Sequence, residues 1–365
     1  MRRLKAFFAG WRGLGRFWAC MLLIVTYGTV TMQWLGPVDQ ERTPISERPH
    51  LGLVVPSGVV PSGRPVAEAA KPASRAKPPA FSPDHPGRDT PGPVNDPDPA
   101  LLEPVSGSPS DALPRIAPDG RMAMRLYAAG FDASNLRPRV GMLVAGFGQT
   151  SADTKRAIND LPSGVSFAVS PYGRNLEPLL AVSRLAGHEY FVSIPMEPPG
   201  FPMNDPGPQA LMSSLSPAQN LPRLHWILSR MTGYVGATAV LGALRGERFI
   251  DVPEQINPVL ADLDRRGLVY VDPRAGQGPL PHAWSRSIDL VVDEPASSAD
   301  IDLKLSQLET LARSRGSALG LATAPRPVTV ERIAAWTAGL ANRGFGLTPV
   351  SALMVSAASD TQASR

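Results

Sequence analysis

The sequence predicts an α/β domain carried behind one transmembrane helix and a disordered linker. Three observations predict it. An uncharged apolar run extends from Phe17 to Leu35, a proline-dense stretch follows it, and beyond Arg137 short apolar runs alternate with amphipathic segments. At 365 residues there is chain enough to bury a core outside the linker. The net charge of +4 is small, and Arg2, Arg3, Lys5, Arg12 and Arg16 all precede the apolar run. The basic excess therefore points to membrane orientation, and no nucleic-acid partner is expected. Cys20 is the single cysteine, so neither an internal disulfide nor a cysteine metal site is expected.

Residues 1–16 read as a basic cytoplasmic N-terminus and residues 17–36 as the anchor. The run approaches the ~20 residues that cross a bilayer core, and Trp18 and Trp34 stand near its ends as an interfacial belt would. Asp39, Glu41, Arg42 and Glu47 follow it, which places the rest of the chain across the membrane: an inner-membrane, single-pass protein with its C-terminal domain in the periplasm. A cleaved signal peptide is the competing reading, but no clear small-x-small site follows the run.

Residues 37–118 hold 19 of the 40 prolines in under a quarter of the chain, and few aromatics. Lys77-Pro78-Pro79 and Asp96-Pro97-Asp98-Pro99 disfavour helices and ladders, because proline lacks an N–H and restrains its predecessor. The segment reads as a disordered tether of about 80 residues with a reach on the order of 200 Å when extended.

From 119 to 356 the chain reads as the folded domain, with a disordered tail at 357–365. Apolar runs predict buried strands at Val140–Ala145, Val165–Val169, Tyr190–Ile194, Leu268–Val271, Leu290–Val292, Ala318–Leu321 and Phe345–Val350. Helical patterns lie at 151–160, 174–187, 216–231, 253–266, 299–315 and 328–343. Pro217 and Pro253 suit first-turn positions, and Gly187, Gly267, Gly316 and Gly344 suit helix ends. Seven strands with intervening helices make either a mostly parallel sheet or a (β/α) barrel.

Both architectures put reactive groups at the C-terminal ends of the strands. Those positions hold Glu197, Asp272, Asp293 and Glu294, the first three being candidate catalytic carboxylates. Tyr172, Met196, Arg274, Glu294 and His282 are candidate substrate-binding residues. Each strand-end acid has a structural alternative, since acids there also cap helices and pair with arginines. Of the five histidines, His50 and His85 fall in the tether. His188 precedes a strand on the side away from the expected pocket, and His225 lies inside a helix beside Trp226.

An ordered series of short motifs adds a resemblance. It runs through Leu161-Pro162, Ser170-Pro171-Tyr172, Ala186-Gly187-His188-Glu189 and Ile194-Pro195-Met196-Glu197-Pro198, then the loop around Asp205-Pro206-Gly207. It continues with Tyr234-Val235-Gly236, Tyr270-Val271-Asp272-Pro273-Arg274 and Pro349-Val350-Ser351-Ala352-Leu353. Over residues 138–356 the chain resembles the divergent polysaccharide deacetylase family, envelope proteins related to metal-dependent carbohydrate esterases. The resemblance implies an irregular (β/α) barrel of about seven strands. It also implies an aspartate pair at the end of the first strand, where this chain has Ala145 and Gly146. Histidines are implied where the chain has Val240 and the Leu321-Ala322-Thr323 ending.

A catalytic zinc needs about three protein ligands and an open position. No cofactor is therefore expected, with weak binding of a hard divalent metal by the remaining acids left open. The leading expectation is a membrane-anchored, catalytically degenerate deacetylase-like protein of the cell envelope that binds a cell-wall glycan or an envelope protein. The alternatives are an active carbohydrate hydrolase using the retained carboxylates, and a scaffold for a wall-remodelling complex.

Overall fold

The computed structural model describes residues 88, 90–105, 108–278, 280 and 284–355. The expected anchor at 17–36, the N-terminal part of the tether, the tail at 357–365 and His282 lie outside the described residues. Among the described residues no helix is long and apolar enough to cross a membrane.

The tether was expected to run to residue 118, and here the structure corrects the sequence reading. Residues 102–105 and 108–114 form an antiparallel hairpin, β1 (Leu102–Val105) and β2 (Ser108–Pro114). Ahead of it Asp98 caps a 3-10 turn, Pro99–Leu101, by accepting the Ala100 N–H at 2.8 Å. Leu101 is fully buried, and Val94 and Leu113 are nearly so. Arg266 pairs with Glu103 at 2.7 Å and donates to the Pro114 carbonyl at 2.9 Å, while Asn95 donates to the Leu126 carbonyl at 2.7 Å. Proline limits the partners a segment can recruit through its own N–H groups, but its carbonyls stay available. Arg266 of the domain supplies donors to the segment, Asn95 and the Val94 N–H of the segment donate in return, and the two order against each other.

Among the described residues nine strands make one parallel sheet with eight helices around it. In chain order the elements are α1 (Ala123–Leu126), β3 (Arg139–Phe147), α2 (Ser151–Asp160), β4 (Val165–Val169), α3 (Leu176–Leu185) and β5 (Tyr190–Ser193). After them come α4 (Pro217–Leu228), β6 (Gly236–Thr238), α5 (Glu247–Ile250), α6 (Pro253–Arg265) and β7 (Val269–Asp272). The last group is β8 (Ser285–Ser287), β9 (Leu290–Val291), α7 (Ser298–Arg315), β10 (Ser317–Ala322), α8 (Pro327–Ala338) and β11 (Gly346–Leu347). The hydrogen-bonded order is β8-β7-β6-β5-β4-β3-β10-β9, with β11 beside the start of β3. The two ends of that path, β8 and β9, are consecutive in the chain. The Ile288 N–H donates to the Asp272 carbonyl at 3.0 Å and the Asp289 N–H to the Leu319 carbonyl at 2.8 Å, so one extended segment passes from β7 to β10. The sheet curls onto itself, as a (β/α) barrel does.

Alternation along the strands divides the core in two. Leu143, Ala145, Ala168, Phe191, Val271, Leu319 and Leu321 pack together on one face, the barrel interior. Met142, Val144, Phe167, Tyr190, Val192 and Tyr270 face the helices. The sequence reading omits two strands of this sheet for physical reasons. Gly236-Ala237-Thr238 has no apolar run, yet a Cβ on Gly236 would stand 2.3 Å from the Val269 carbonyl oxygen, so only glycine lets β6 approach β7. Ser285-Arg286-Ser287 is polar and takes its place from the ladder with β7. The short helices α1 and α5, four residues each, also carry too little periodicity to be read in advance.

Candidate functional site: the C-terminal mouth of the sheet

The strand ends bring the predicted acids to one side of the sheet and supply each with partners of its own. Glu197 follows β5 and is 3 % exposed. One of its oxygens accepts the Ser213 N–H at 2.7 Å and the Ser213 hydroxyl at 2.5 Å, and the other meets Arg248 at 3.1 Å. Its backbone is pinned as well: its N–H donates to the Leu211 carbonyl at 2.9 Å and its carbonyl accepts the Phe249 N–H at 3.1 Å. Glu197 thus staples the long 197–213 excursion to α5. Met196 is buried beside it against Gly246, where a Cβ would lie 2.5 Å from the Met196 Cβ. Neither position presents a free side chain to a ligand.

Asp272, at the end of β7, is fully buried and forms a bidentate pair with Arg274, with Nη2 at 2.8 Å and Nε at 3.1 Å. It also accepts the Arg274 N–H at 3.0 Å, and Arg274 reaches on to Asp251 at 2.7 Å. Hydrogen bonds donated to Asp272 and Asp251, against the cost of burial, push the guanidinium further into its charged form. Asp293, after β9, is 1 % exposed. It accepts the Thr323 N–H at 2.7 Å, the Thr323 hydroxyl at 3.1 Å, the Ala324 N–H at 3.3 Å and Arg326 at 3.0 Å. Burial pushes this carboxyl up, and the Thr323 and Ala324 bonds with the Arg326 charge offset part of the rise. Its neighbour Glu294 points elsewhere and takes Arg245 on both oxygens, at 3.1 and 2.9 Å. Among the described residues no partner is common to any two of Glu197, Asp272 and Asp293. The predicted residues therefore share a rim, but they do not form a common constellation.

The residues implied for a metal do not fit one. Ala145 and Gly146 offer no side-chain donor at the end of β3, Val240 offers none after β6, and Thr323 is spent on Asp293. Among the described residues no group of three or more His, Cys, Asp or Glu is placed to hold an ion. His188 is buried on the helix side, its Nδ1 2.8 Å from the Val165 carbonyl and its ring 4.6 Å from that of Phe167. Burial lowers its pKa, so it stays neutral. His225 contacts Asp262 at 3.3 Å and Arg266 at 3.2 Å between α4 and α6.

The open space lies on the other half of the mouth. A cavity of about 680 Å³ sits beyond the ends of β3 and β4 and extends to Leu241 after β6. Of the predicted residues it takes in only Tyr172. That ring is half-buried, lies 6.0 Å from Trp226, and is fixed by its Oη accepting the Gln209 N–H at 3.3 Å. Burial raises the phenol's pKa, so it remains a neutral donor. The rest of the wall includes Ser170, Asn175, Lys155 and Arg174, none of them singled out from sequence. A signal for Asn175 was present: it precedes an apolar helix, and it adopts φ +51°, a conformation asparagine tolerates better than most residues. Lys155 and Arg174 carried none, since lone surface cations are ordinary.

A family model for divergent polysaccharide deacetylases matches residues 142–354. An uncharacterized protein from Agrobacterium tumefaciens C58 is similar in structure, with 30 % identity, 67 % of this chain and 99 % of that one covered, and a TM-score of 0.61. A proposed cellobiose-phosphate cleavage protein from Enterococcus faecalis V583 aligns with 14 % identity over 60 % of this chain and 100 % of that one, at a TM-score of 0.42. No curated protein matches the chain. With more than half of its length matched by that one family model, this chain belongs to the divergent polysaccharide deacetylase family.

Proposed function

We propose that this protein binds a cell-envelope glycan and has lost the hydrolytic centre of its ancestry. One observation carries the reading: the mouth keeps a cavity of about 680 Å³ with an aromatic wall at Tyr172, while every candidate catalytic carboxylate lies outside it and accepts from protein donors. A general base needs a lone pair free to receive a proton. Asp272 and Asp293 spend theirs on Arg274, Thr323, Ala324 and Arg326, and Glu197 is held by Ser213 and Arg248. Concave, partly apolar pockets with a few fixed polar groups are where small ligands and sugar units bind, and the family's carbohydrate character supports a glycan as occupant. The uncharged run at 17–36, flanked by basic residues on its N-terminal side, supports an inner-membrane anchor with the domain in the periplasm.

The test is the full-length chain titrated with peptidoglycan-derived and chitin-derived oligosaccharides, alongside an acetate-release assay. Saturable binding is expected, weakened about tenfold in Tyr172→Ala by loss of the aromatic wall, with no acetate released. Acetate release abolished by Asp272→Asn or Asp293→Asn would overturn this reading in favour of an active hydrolase. Capture of an envelope protein with no affinity for any glycan would replace it with a scaffold.

A further inference from the structure

The cavity has a charge as well as a shape. Its lining contains Lys155 and Arg174 and no aspartate or glutamate. Both cations are exposed, and neither has an ion-pair or hydrogen-bond partner among the described residues. That separates them from the arginines across the mouth, where Arg245, Arg248, Arg274 and Arg326 are each matched to a carboxylate within 3.1 Å. The nearest acids in sequence lie outside the lining, as does Asp205, which acts on the Tyr172 phenol. Asp153 and Glu177 stand in the first turns of α2 and α3, and Glu177 is taken by Arg184 at 2.8 Å.

The same two helices begin at the cavity. Ser151, the first residue of α2, and Asn175, the cap of α3, both line it, so the positive ends of two ten-residue helices add to the field of the two side chains. The inner wall adds the Ser170 hydroxyl. Outside the lining, on the inward face of β5, the buried Ser193 Oγ has no hydrogen-bond partner among the described residues.

Resting on the glycan reading above, we propose that the occupant is an acidic glycan. Its sugar ring lies against Tyr172, and its negatively charged substituent, a carboxylate or a phosphate, sits between Lys155 and Arg174. Arginine and lysine bind such groups by charge-assisted hydrogen bonds, and an acid-free wall removes the repulsion an anion meets elsewhere on the rim.

The experiment measures the full-length chain against three probes at low salt: tetragalacturonate as the carboxylate, glucosamine 6-phosphate as the phosphate, and chitotetraose as the neutral sugar. One of the two anionic probes is expected to bind about tenfold or more tightly than chitotetraose, and which one wins identifies the substituent. The preference is expected to shrink as salt is raised toward 0.15 M. It should fall to near unity in Lys155→Gln/Arg174→Gln and persist in Lys155→Arg. It should also persist in Arg156→Gln, which removes an exposed charge from the same helix outside the lining. Equal affinity for all three probes, or a preference untouched by the double variant, overturns the acidic-glycan assignment and leaves a neutral-glycan site. Binding of none of them overturns both readings.

Discussion

The two ends of the sheet treat buried acids in opposite ways. At the N-terminal end Glu189 is fully buried and has no cationic partner among the described residues. Four donors surround it: the Ala129 N–H at 2.9 Å, the Ser351 N–H at 2.9 Å, the Ser351 hydroxyl at 2.6 Å and the Ser166 hydroxyl at 2.8 Å. The Ser166 hydroxyl in turn accepts the Val350 N–H at 3.1 Å. At the C-terminal end Glu197, Asp272, Asp293 and Glu294 each face an arginine. Glu197, Asp272 and Asp293 are buried as Glu189 is, and the difference lies in their partners. A closed end joins four chain segments through a polar knot that water does not reach. At the open end each acid is balanced locally by a guanidinium group, several of which reach the surface. A strand-end carboxylate in such a fold is thus no sign of catalysis until its lone pairs are shown to be free.

The sharpest way to break this comparison is Glu189→Ala. It leaves two backbone N–H groups and two hydroxyls without their acceptor, and a loss of about 3–5 kcal/mol is expected from unsatisfied buried donors, read as a lowered urea midpoint. A loss below about 1 kcal/mol would mean that water enters the knot.

The same residue sets a pH dependence. Burial raises the Glu189 carboxyl above its ordinary range, with the hydrogen bonds from Ser351, Ala129 and Ser166 offsetting only part of the rise. Below the ordinary carboxylate range the group is protonated in both folded and unfolded chains, and it costs nothing. As pH climbs from there through the raised folded value, the unfolded chain releases its proton first and stability falls. Urea midpoints taken across that window should therefore decline more in the parent than in Glu189→Gln. Parallel curves would contradict the assignment.

At the open end Asp272→Asn is expected to cost about 1–3 kcal/mol, less than the Glu189 variant, because Arg274 keeps Asp251 as a partner. Any glycan affinity should survive it, which calorimetry would check. The smallest effect belongs to Glu294→Ala. Its pair with Arg245 is partly exposed and Arg245 retains Glu247, so the melting midpoint should register no more than about 0.5–1 kcal/mol.

Much of the fold was legible in the sequence because strands with buried faces announce themselves. Val165–Val169 and Ser151–Asp160 fall where apolar pattern and periodicity put them. The ordering of residues 90–105 and 108–118 was hidden, since their partners include side chains such as Arg266, distant in sequence. The site was less legible than the fold. Residue type located Glu197, Asp272 and Asp293 at the correct edge, but a carboxylate's availability depends on donors as far off as Arg248, Thr323 and Arg326. Lys155 and Arg174 gain meaning only from an acid-free cavity, a property of surfaces that no linear pattern encodes. Two of the motifs behind the family resemblance, at Gly187–Glu189 and Pro349–Leu353, converge on the buried knot. They report how the domain is closed and say nothing of what it binds.

The strand that passes from β7 to β10 also gives the sheet a seam. Three residue pairs hold β8 to β7, as many as join β5 to β6 and β6 to β7, but two hold β9 to β10, against six between β3 and β10. Between the two short ladders Asp289 acts as a latch, gripping Arg286 at 2.6 Å, Arg315 at 3.0 Å and the Leu319 N–H at 2.8 Å. Local opening costs least where fewest bonds must break together, so amides at 285–291 should exchange with solvent deuterium ahead of those in β3, and Asp289→Ala should widen that gap. The ring would then part along one line while its other strands keep their register.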